Sequence, residues 1–358
     1  MTDFIIIGGG IAGISAAARL SELGQVTVLE TEEALGYHAS GRSAALFEEN
    51  YGNAPTVALN RASASFMENA NGGYLTPRGF LLLGKPDQAD AFHADVGDLG
   101  LEPIPVQDAF AQVPILNPET VRFAARNNLA RDIDTDRLIQ DFTRQARGNG
   151  AQILTKHTVT SISFADGLWT VTGGGEQFRA ATLVNAAGAW ADQVASLAGI
   201  TPVGIQPHRR SMARLPAPGG HDVSGWPMLM AVGETWYAKP DAGKLLVSPA
   251  DTDPVDPHDA YADDMVLAEG LARYEEMVVT PVTRVETNWA GLRSFAPDKT
   301  LVLGRDPQNP SFVWSAGQGG YGFSTAPAAS QLVADLVAGR APELDADTVA
   351  QLSPKRFR

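Results

Sequence analysis

The chain has 358 residues, with 41 acidic against 27 basic side chains, a formal net charge of −14 and no cysteine. That acidity argues against nucleic acid or an anionic membrane as the main partner, and the missing thiol excludes disulfides, thiolate metal sites and cysteine nucleophiles. The length suggests two domains around a large core; with no leader-like apolar run and no stretch approaching the ~18 apolar residues of a membrane span, a soluble cytoplasmic protein is expected.

Residues 4–7 form a continuous apolar run, the pattern of a parallel strand buried on both faces. Gly8, Gly10 and Gly13 follow in the spacing G-x-G-x-x-G, and residues 14–23 read as an alanine-rich helix that stops at Gly24. In such a junction the first glycine serves a tight turn, the second lets a pyrophosphate approach the backbone, and the third lets the helix pack closely on the sheet. Ile11 and Ala12 fill the intervening positions, where the free N–H groups and positive end of the helix meet a phosphate. Residues 26–29 supply a second strand, and Glu30 ends it 22 positions after Gly8. That is near the ~20-residue interval at which an acid accepts hydrogen bonds from an adenosine ribose. Strand, turn, helix, strand and acid in this order predict dinucleotide binding. The carboxylate disfavours a 2′-phosphate and hence NADP, while FAD and NAD both remain open.

Small residues then surround Gly41, Arg42, Ser43, Ala44 and Ala45, bringing backbone and a guanidinium within reach of a phosphate or an isoalloxazine ring. A helix is predicted over 54–69, a strand over 75–84, and short helices over 88–99 and 107–113 among punctuating prolines. Residues 134–147 read as a helix capped by Asp134 or Thr135, with Leu138, Phe142 and Ala146 on one face. No metal site is expected, because Asp132, Asp134 and Asp136 lack the glycine and distal glutamate of a calcium loop.

Residues 151–185 alternate in the manner of strands and run into LVNAAGAWAD, a second strand-to-helix junction whose Ala187 and Gly188 let backbone lie against a nucleotide. An aromatic-rich half follows, in which 235–239 and 244–248 are expected to pair as a hairpin about 241–243. Near the C-terminus strand, glycine loop and helix recur. Gly317, Gly319, Gly320 and Gly322 surround Gln318 and Tyr321, and a helix from Thr325 would aim its positive end at that loop, where negative charge can be stabilised.

The blocks GYHASGRSAA, LVNAAGAWAD, QPHRRS, WPMLM, YAKPDAG, SPADTDPV, WAGLRSFAPD and GQGGYGFSTAP resemble, in order, those of the D-amino-acid oxidase superfamily of flavoproteins. Within it they are most similar to bacterial D-arginine dehydrogenase-like D-amino-acid dehydrogenases. The resemblance covers nearly the whole chain. It implies an α/β fold in which a Rossmann-like FAD domain with a parallel sheet is assembled from residues 1–74, 146–211 and 291–358. Residues 75–145 and 212–290 would form a substrate domain with a mainly antiparallel sheet. It further implies non-covalent FAD, held also by Val159 and Trp190, and hydride transfer from the α-carbon of a D-amino acid to flavin N5. The imino acid so formed hydrolyses to a 2-oxo acid and ammonia.

Carried over residue by residue, Arg210 in QPHRRS and Arg293 in WAGLRSF match positions that anchor the substrate carboxylate. Tyr237 in TWYAKP and Tyr51, which matches a lid tyrosine, complete the implied substrate site. A planar guanidinium suits such anchoring because it clamps a carboxylate bidentately. Departures are local. Leu46 stands where the arginine-type enzymes have a histidine, Glu48 and Glu49 where they have neutral residues, and Gly79 or Phe80 where they have an acid that pairs a cationic side chain. A less polar substrate side chain is therefore expected, with Glu48 an exposed loop residue or, as the alternative, a new acidic contact in the site. The alternatives are an oxidase or dehydrogenase of glycine, sarcosine or another secondary amino acid, and a flavin-bearing subunit of an electron-transfer complex. Residue type leaves the electron acceptor open among oxygen, a quinone and a partner protein.

Overall fold

The computed structural model describes residues 2–358. Its strand Thr2–Ile7 lies between Glu176–Asn185 and Val26–Leu29 and runs parallel to both. Successive side chains leave opposite faces of a strand. Phe4 and Ile6 therefore enter a cluster with Ile14, Leu138, Phe142 and Phe323 from the helices Ile11–Leu20, Thr135–Gly148 and Gly322–Ala338, while Ile5 and Ile7 join Trp169, Phe312 and Trp314 on the other side. Burial on both faces is the reason the run carries no polar alternation.

Gln152–Leu154 extends this sheet beyond Val26–Leu29. The first half of Glu176–Asn185 carries the antiparallel strands Leu168–Gly173 and Val159–Ala165; its second half pairs in parallel with Phe312–Ala316, which takes Val302–Arg305 antiparallel. Three stretches far apart in the chain thus converge on one eight-stranded sheet. The strand ends Ile7 and Asn185 pair with each other, so the two small-residue turns that follow, at Gly8 and Ala186, emerge side by side.

The second eight-stranded sheet is mainly antiparallel, in the order Thr287–Phe295, Gln206–Leu215, Lys244–Ser248, Tyr237–Asp241, Met228–Ala231, Phe80–Gly84, Phe123–Asn127 and Glu102–Ile104. One pair in it, Met228–Ala231 on Phe80–Gly84, is parallel. The predicted hairpin is present as Tyr237–Asp241 paired with Lys244–Ser248, and the helix Ala54–Asn69 has its predicted bounds. Asp134 caps Thr135–Gly148 by accepting from the Arg137 N–H at 3.1 Å.

Three expectations are corrected. The first helix begins at Ile11 and ends at Leu20 instead of spanning 14–23, because Gly10 is its N-cap and the fingerprint residues themselves take helical geometry. The stretch 75–84 is two strands: Leu75–Pro77 joins a small sheet with Arg131–Ile133 and Leu46–Phe47, and the chain turns at Gly79, φ +76°, into Phe80–Gly84. Arg78 fastens that corner through Asp132 at 2.7 Å and the carbonyls of Ser224 and Trp226 at 2.7 and 2.9 Å. The last long helix begins at Gly322 and accommodates Pro327, rather than starting at Thr325; a proline near a helix start forfeits few intrahelical bonds. Among the described residues no helix is long and apolar enough to cross a membrane.

Candidate active site

A cavity of about 450 Å³ runs from Gly8 and Glu30 to Arg210, Arg293 and Gly319, within the ~300–1,000 Å³ of small-molecule sites. Its first end is made by backbone. Gly8 sits at φ +106°, and a Cβ on Gly13 would lie 1.9 Å from the Gly8 carbonyl oxygen, so turn and helix can approach only without side chains. The helix Ile11–Leu20 has no side-chain cap on its N-cap Gly10, and Gly10, Ile11 and Ala12 line the cavity with its positive end. Ser40, unremarked in the sequence, accepts the Ile11 N–H at 3.0 Å and joins the following loop to this helix. Glu30 accepts from the Gly9 N–H at 2.5 Å and the Glu32 N–H at 2.8 Å. A carboxylate has about four acceptor positions, which leaves lone pairs for hydroxyl donors.

Gly10, Ala44, Ala45, Val159, Ala187, Gly188 and Trp190 continue the wall, with Ser43 and Arg42. The Arg42 guanidinium is committed elsewhere: Nη1 donates to the carbonyls of Ala260 and Ala290 at 2.8 and 2.9 Å, and Nη2 pairs with Asp259 at 2.5 Å. The expectation that it would reach a phosphate or a ring is therefore replaced by a positioning role, since it ties the 39–45 loop to Thr287–Phe295. Its hydrogen bond holds the Asp259 carboxyl below the usual carboxylate range. Lys239, also unforeseen, donates to the carbonyls of Ala44 and Ala45 at 2.8 and 3.0 Å and pairs with Asp132 at 2.9 Å. Gly41 stands off the wall and closes its own loop, donating to the Gly36 carbonyl at 2.6 Å. Gln318, Gly319, Gly320 and Gly322 line the opposite end, where Tyr321 is the N-cap residue of Gly322–Ala338 without a side-chain cap bond. The cavity thus fits a dinucleotide: two helix starts whose own N-cap residues make no side-chain cap, for negative charge, an acid for hydroxyls and small-residue walls.

The arginine end is built by register. Arg210 pairs with Gly291 and His208 with Arg293 across Gln206–Leu215 and Thr287–Phe295, so Arg210 and Arg293 lie on a diagonal and leave the same face. Arg209 takes the opposite face and pairs with Asp251 at 3.2 Å and Asp253 at 2.6 Å, which separates it from its neighbour. Arg210 is aimed by its Nε, which donates to the Asp251 carbonyl at 2.9 Å, and its guanidinium lies over the Tyr237 ring at 5.7 Å. Arg293 rests on the glycine loop; a Cβ on Gly320 would meet its Cζ at 3.1 Å. The Gly319 N–H donates to the Ser294 carbonyl at 2.9 Å, locking loop to strand.

Between the two arginines stands a carboxylate that sequence reasoning missed. Glu234 Oε1 accepts from Arg210 Nη1 at 2.6 Å and from Arg293 Nη1 at 3.5 Å, and Oε2 accepts from Tyr51 Oη at 3.4 Å. Its one sequence signal is its place just before TWYAKP. Burial by itself would raise the Glu234 carboxyl, but Arg293 and Arg210 hold it below its ordinary range. Burial opposes the charge on Arg293 as well, yet Tyr51, Tyr237 and Glu234 together hold that guanidinium above its usual value. Tyr51 is pushed up by burial and by Glu234, and its ring meets Tyr321 at 5.3 Å. Neither tyrosine lines the cavity.

Leu46 lines the cavity and shares an apolar cluster with Phe80, Met212, Met230 and Tyr237. Glu48 is not an exposed loop residue: it is half-buried and accepts from Asn127 Nδ2 at 2.6 Å, which joins its loop to the second sheet instead of to the cavity.

A family model described as FAD dependent oxidoreductase (DAO) matches residues 3–336. Glycine oxidase of Bacillus licheniformis is 25% identical over 362 residues, covering 94% of this chain and 93% of that protein. Among solved structures, glycine oxidase from Geobacillus kaustophilus has a TM-score of 0.85 at 21% identity, covering 100% of this chain and 99% of that one. L-proline dehydrogenase from P. horikoshii has a TM-score of 0.83 at 22% identity, covering 99% and 97%. These structures share the fold.

Proposed function

From the premise that the chain belongs to the DAO family of FAD-dependent oxidoreductases, we propose that it oxidises the α-carbon to nitrogen bond of a D-amino acid. The observation that carries this reading is the pair Arg210 and Arg293, delivered by adjacent antiparallel strands to one end of the cavity beside Gly319 and Gly320. Bound FAD supplies the acceptor for the α-hydrogen as hydride, leaving an imino acid that water hydrolyses to a 2-oxo acid and ammonia.

The residues of the chain do the positioning. Arg293, which lines the cavity, holds the substrate carboxylate, and a fixed carboxylate restricts the α-carbon to a small range of orientations. Leu46 and Met212 offer an apolar surface to the substrate side chain and exclude water from it. The two helix starts at Ile11 and Gly322 stabilise negative charge at the ends of the cofactor site. The discontinuous division into an FAD domain and a substrate domain given above accompanies this proposal.

A second reading is favoured by the glycine oxidase relative: oxidation of glycine or of a secondary amino acid at the same arginines. Anaerobic flavin absorbance of the purified protein, mixed in turn with D- and L-amino acids, sarcosine, glycine and proline, separates the two. Rapid bleaching by D-amino acids with an apolar side chain is the expected result. Bleaching by glycine or secondary amines alone would transfer the assignment to the second reading.

A further inference from the structure

Glu234 has no part in the oxidation as described and does not line the cavity, yet it bridges the two arginines that do. It closes the turn Val232–Glu234 at φ +51°, a backbone region disfavoured for any residue with a side chain. The turn is pinned from behind by Asp95, whose Oδ2 accepts the Gly233 N–H at 2.8 Å. The resulting carboxylate does not treat the two arginines alike. Toward Arg210 it makes a short charge-assisted bond at 2.6 Å, and that side chain is buried with its Nε already committed to Asp251. Toward Arg293 the contact is 3.5 Å, and among the described residues Arg293 makes no other hydrogen bond. Two guanidinium groups and one carboxylate leave a net single positive charge.

The other cations near this end are spent, Lys239 on Ala44, Ala45 and Asp132, and Arg42 on Asp259. We propose that Glu234 is a specificity-determining residue that restricts the site to amino acids with one carboxylate. It holds Arg210 as an internal counter-ion, leaves Arg293 for the substrate, and rejects a second substrate carboxylate by occupying the guanidinium it would need and by like-charge repulsion. This rests on the amino-acid reading above. Removing the Glu234 charge frees Arg210, and the corner then accepts a dicarboxylate across both arginines.

The test uses the FAD-bound protein and ligands that are not turned over. Acetate and malonate are titrated into wild type, Glu234→Gln and Glu234→Gly, with binding read from the perturbation of flavin absorbance. The glycine variant suits the positive φ, so the measurement survives if the glutamine variant folds poorly. The malonate-to-acetate affinity ratio is expected to rise about tenfold or more in both variants. A ratio within about threefold of wild type, including equal strengthening of both ligands, overturns the proposal, because Glu234 would then be a general plug or a structural residue. Failure of the oxidation reading is seen separately. If no amino acid bleaches the wild-type flavin while the ratio shifts, the substrate assignment falls and the selective role of Glu234 stands; bleaching with an unmoved ratio is the reverse.

Discussion

The two ends of the cavity are made by different means. At the glycine turn the site is contiguous backbone: Gly8 to Gly13 and Glu30 lie within one strand, helix and strand unit, and the decisive contacts are absences of side chains. At the arginine end, Arg210 and Arg293 are 83 positions apart in the chain, and Glu234 and Tyr51 come from two further segments. A local motif can carry the first kind of site, because few geometries satisfy it. The second kind depends on strand register, where a slip of one residue in either strand would send its arginine to the wrong face.

That contrast can be broken most severely at Gly13. Gly13→Val places atoms where Gly8 O already stands, so the purified protein is expected to lose its flavin and to melt at lower temperature. Flavin-to-protein absorbance ratio and thermal midpoint check this; a variant that keeps its flavin would remove close helix packing from the account. Arg293→Met attacks the other end. It should lower kcat/KM by about a hundredfold or more while flavin content stays at the wild-type level. Loss of flavin in this variant would show that the two ends are not separable.

Acid titration sharpens the comparison more gently. Glu234 is held below its ordinary carboxylate value in the folded protein. Its contribution to stability is therefore fully present above about pH 5, where the unfolded chain's glutamate is also ionised, and is lost as pH falls through its lower folded value. The difference in thermal midpoint between wild type and Glu234→Gln should shrink as pH is lowered from 7 toward 3.5; a constant difference would mean that packing, not charge, is what the variant disturbs. The smallest effect is expected from Tyr51→Phe. It removes a 3.4 Å hydrogen bond to Glu234 and leaves the ring against Tyr321. A change in KM of a few-fold, with flavin retained, is the expected size for one neutral donor; a change comparable to Arg293→Met would make Tyr51 a direct substrate ligand.

Much of the nucleotide end could be read from residues. The apolar run, the glycine spacing and the acid at Glu30 are local requirements, and the cap at Asp134 and the hairpin about 241–243 are equally local. Where the reading slipped, a neighbour far away in sequence had taken over. Arg42 has the composition of a phosphate ligand, but Asp259 and two carbonyls from distant segments claim its donors. Glu48 reads as a loop acid until Asn127 is seen beside it. Residues 75–84 look like one strand because nothing local says that Arg78 will be tied to Asp132.

By itself the sequence determined the strand–turn–helix units, their glycine geometry and the α/β layering, since these follow from side-chain size and from periodicity within a few residues. The resemblance pointed to Arg210 and Arg293, but only the tertiary structure decided that Arg209 takes the opposite face, that Arg210 and Arg293 leave the same one, and that Glu234 stands between them. The physical reason is that charges act through distance and direction, and for residues on separate strands both are set by pairing and packing, not by their spacing along the chain.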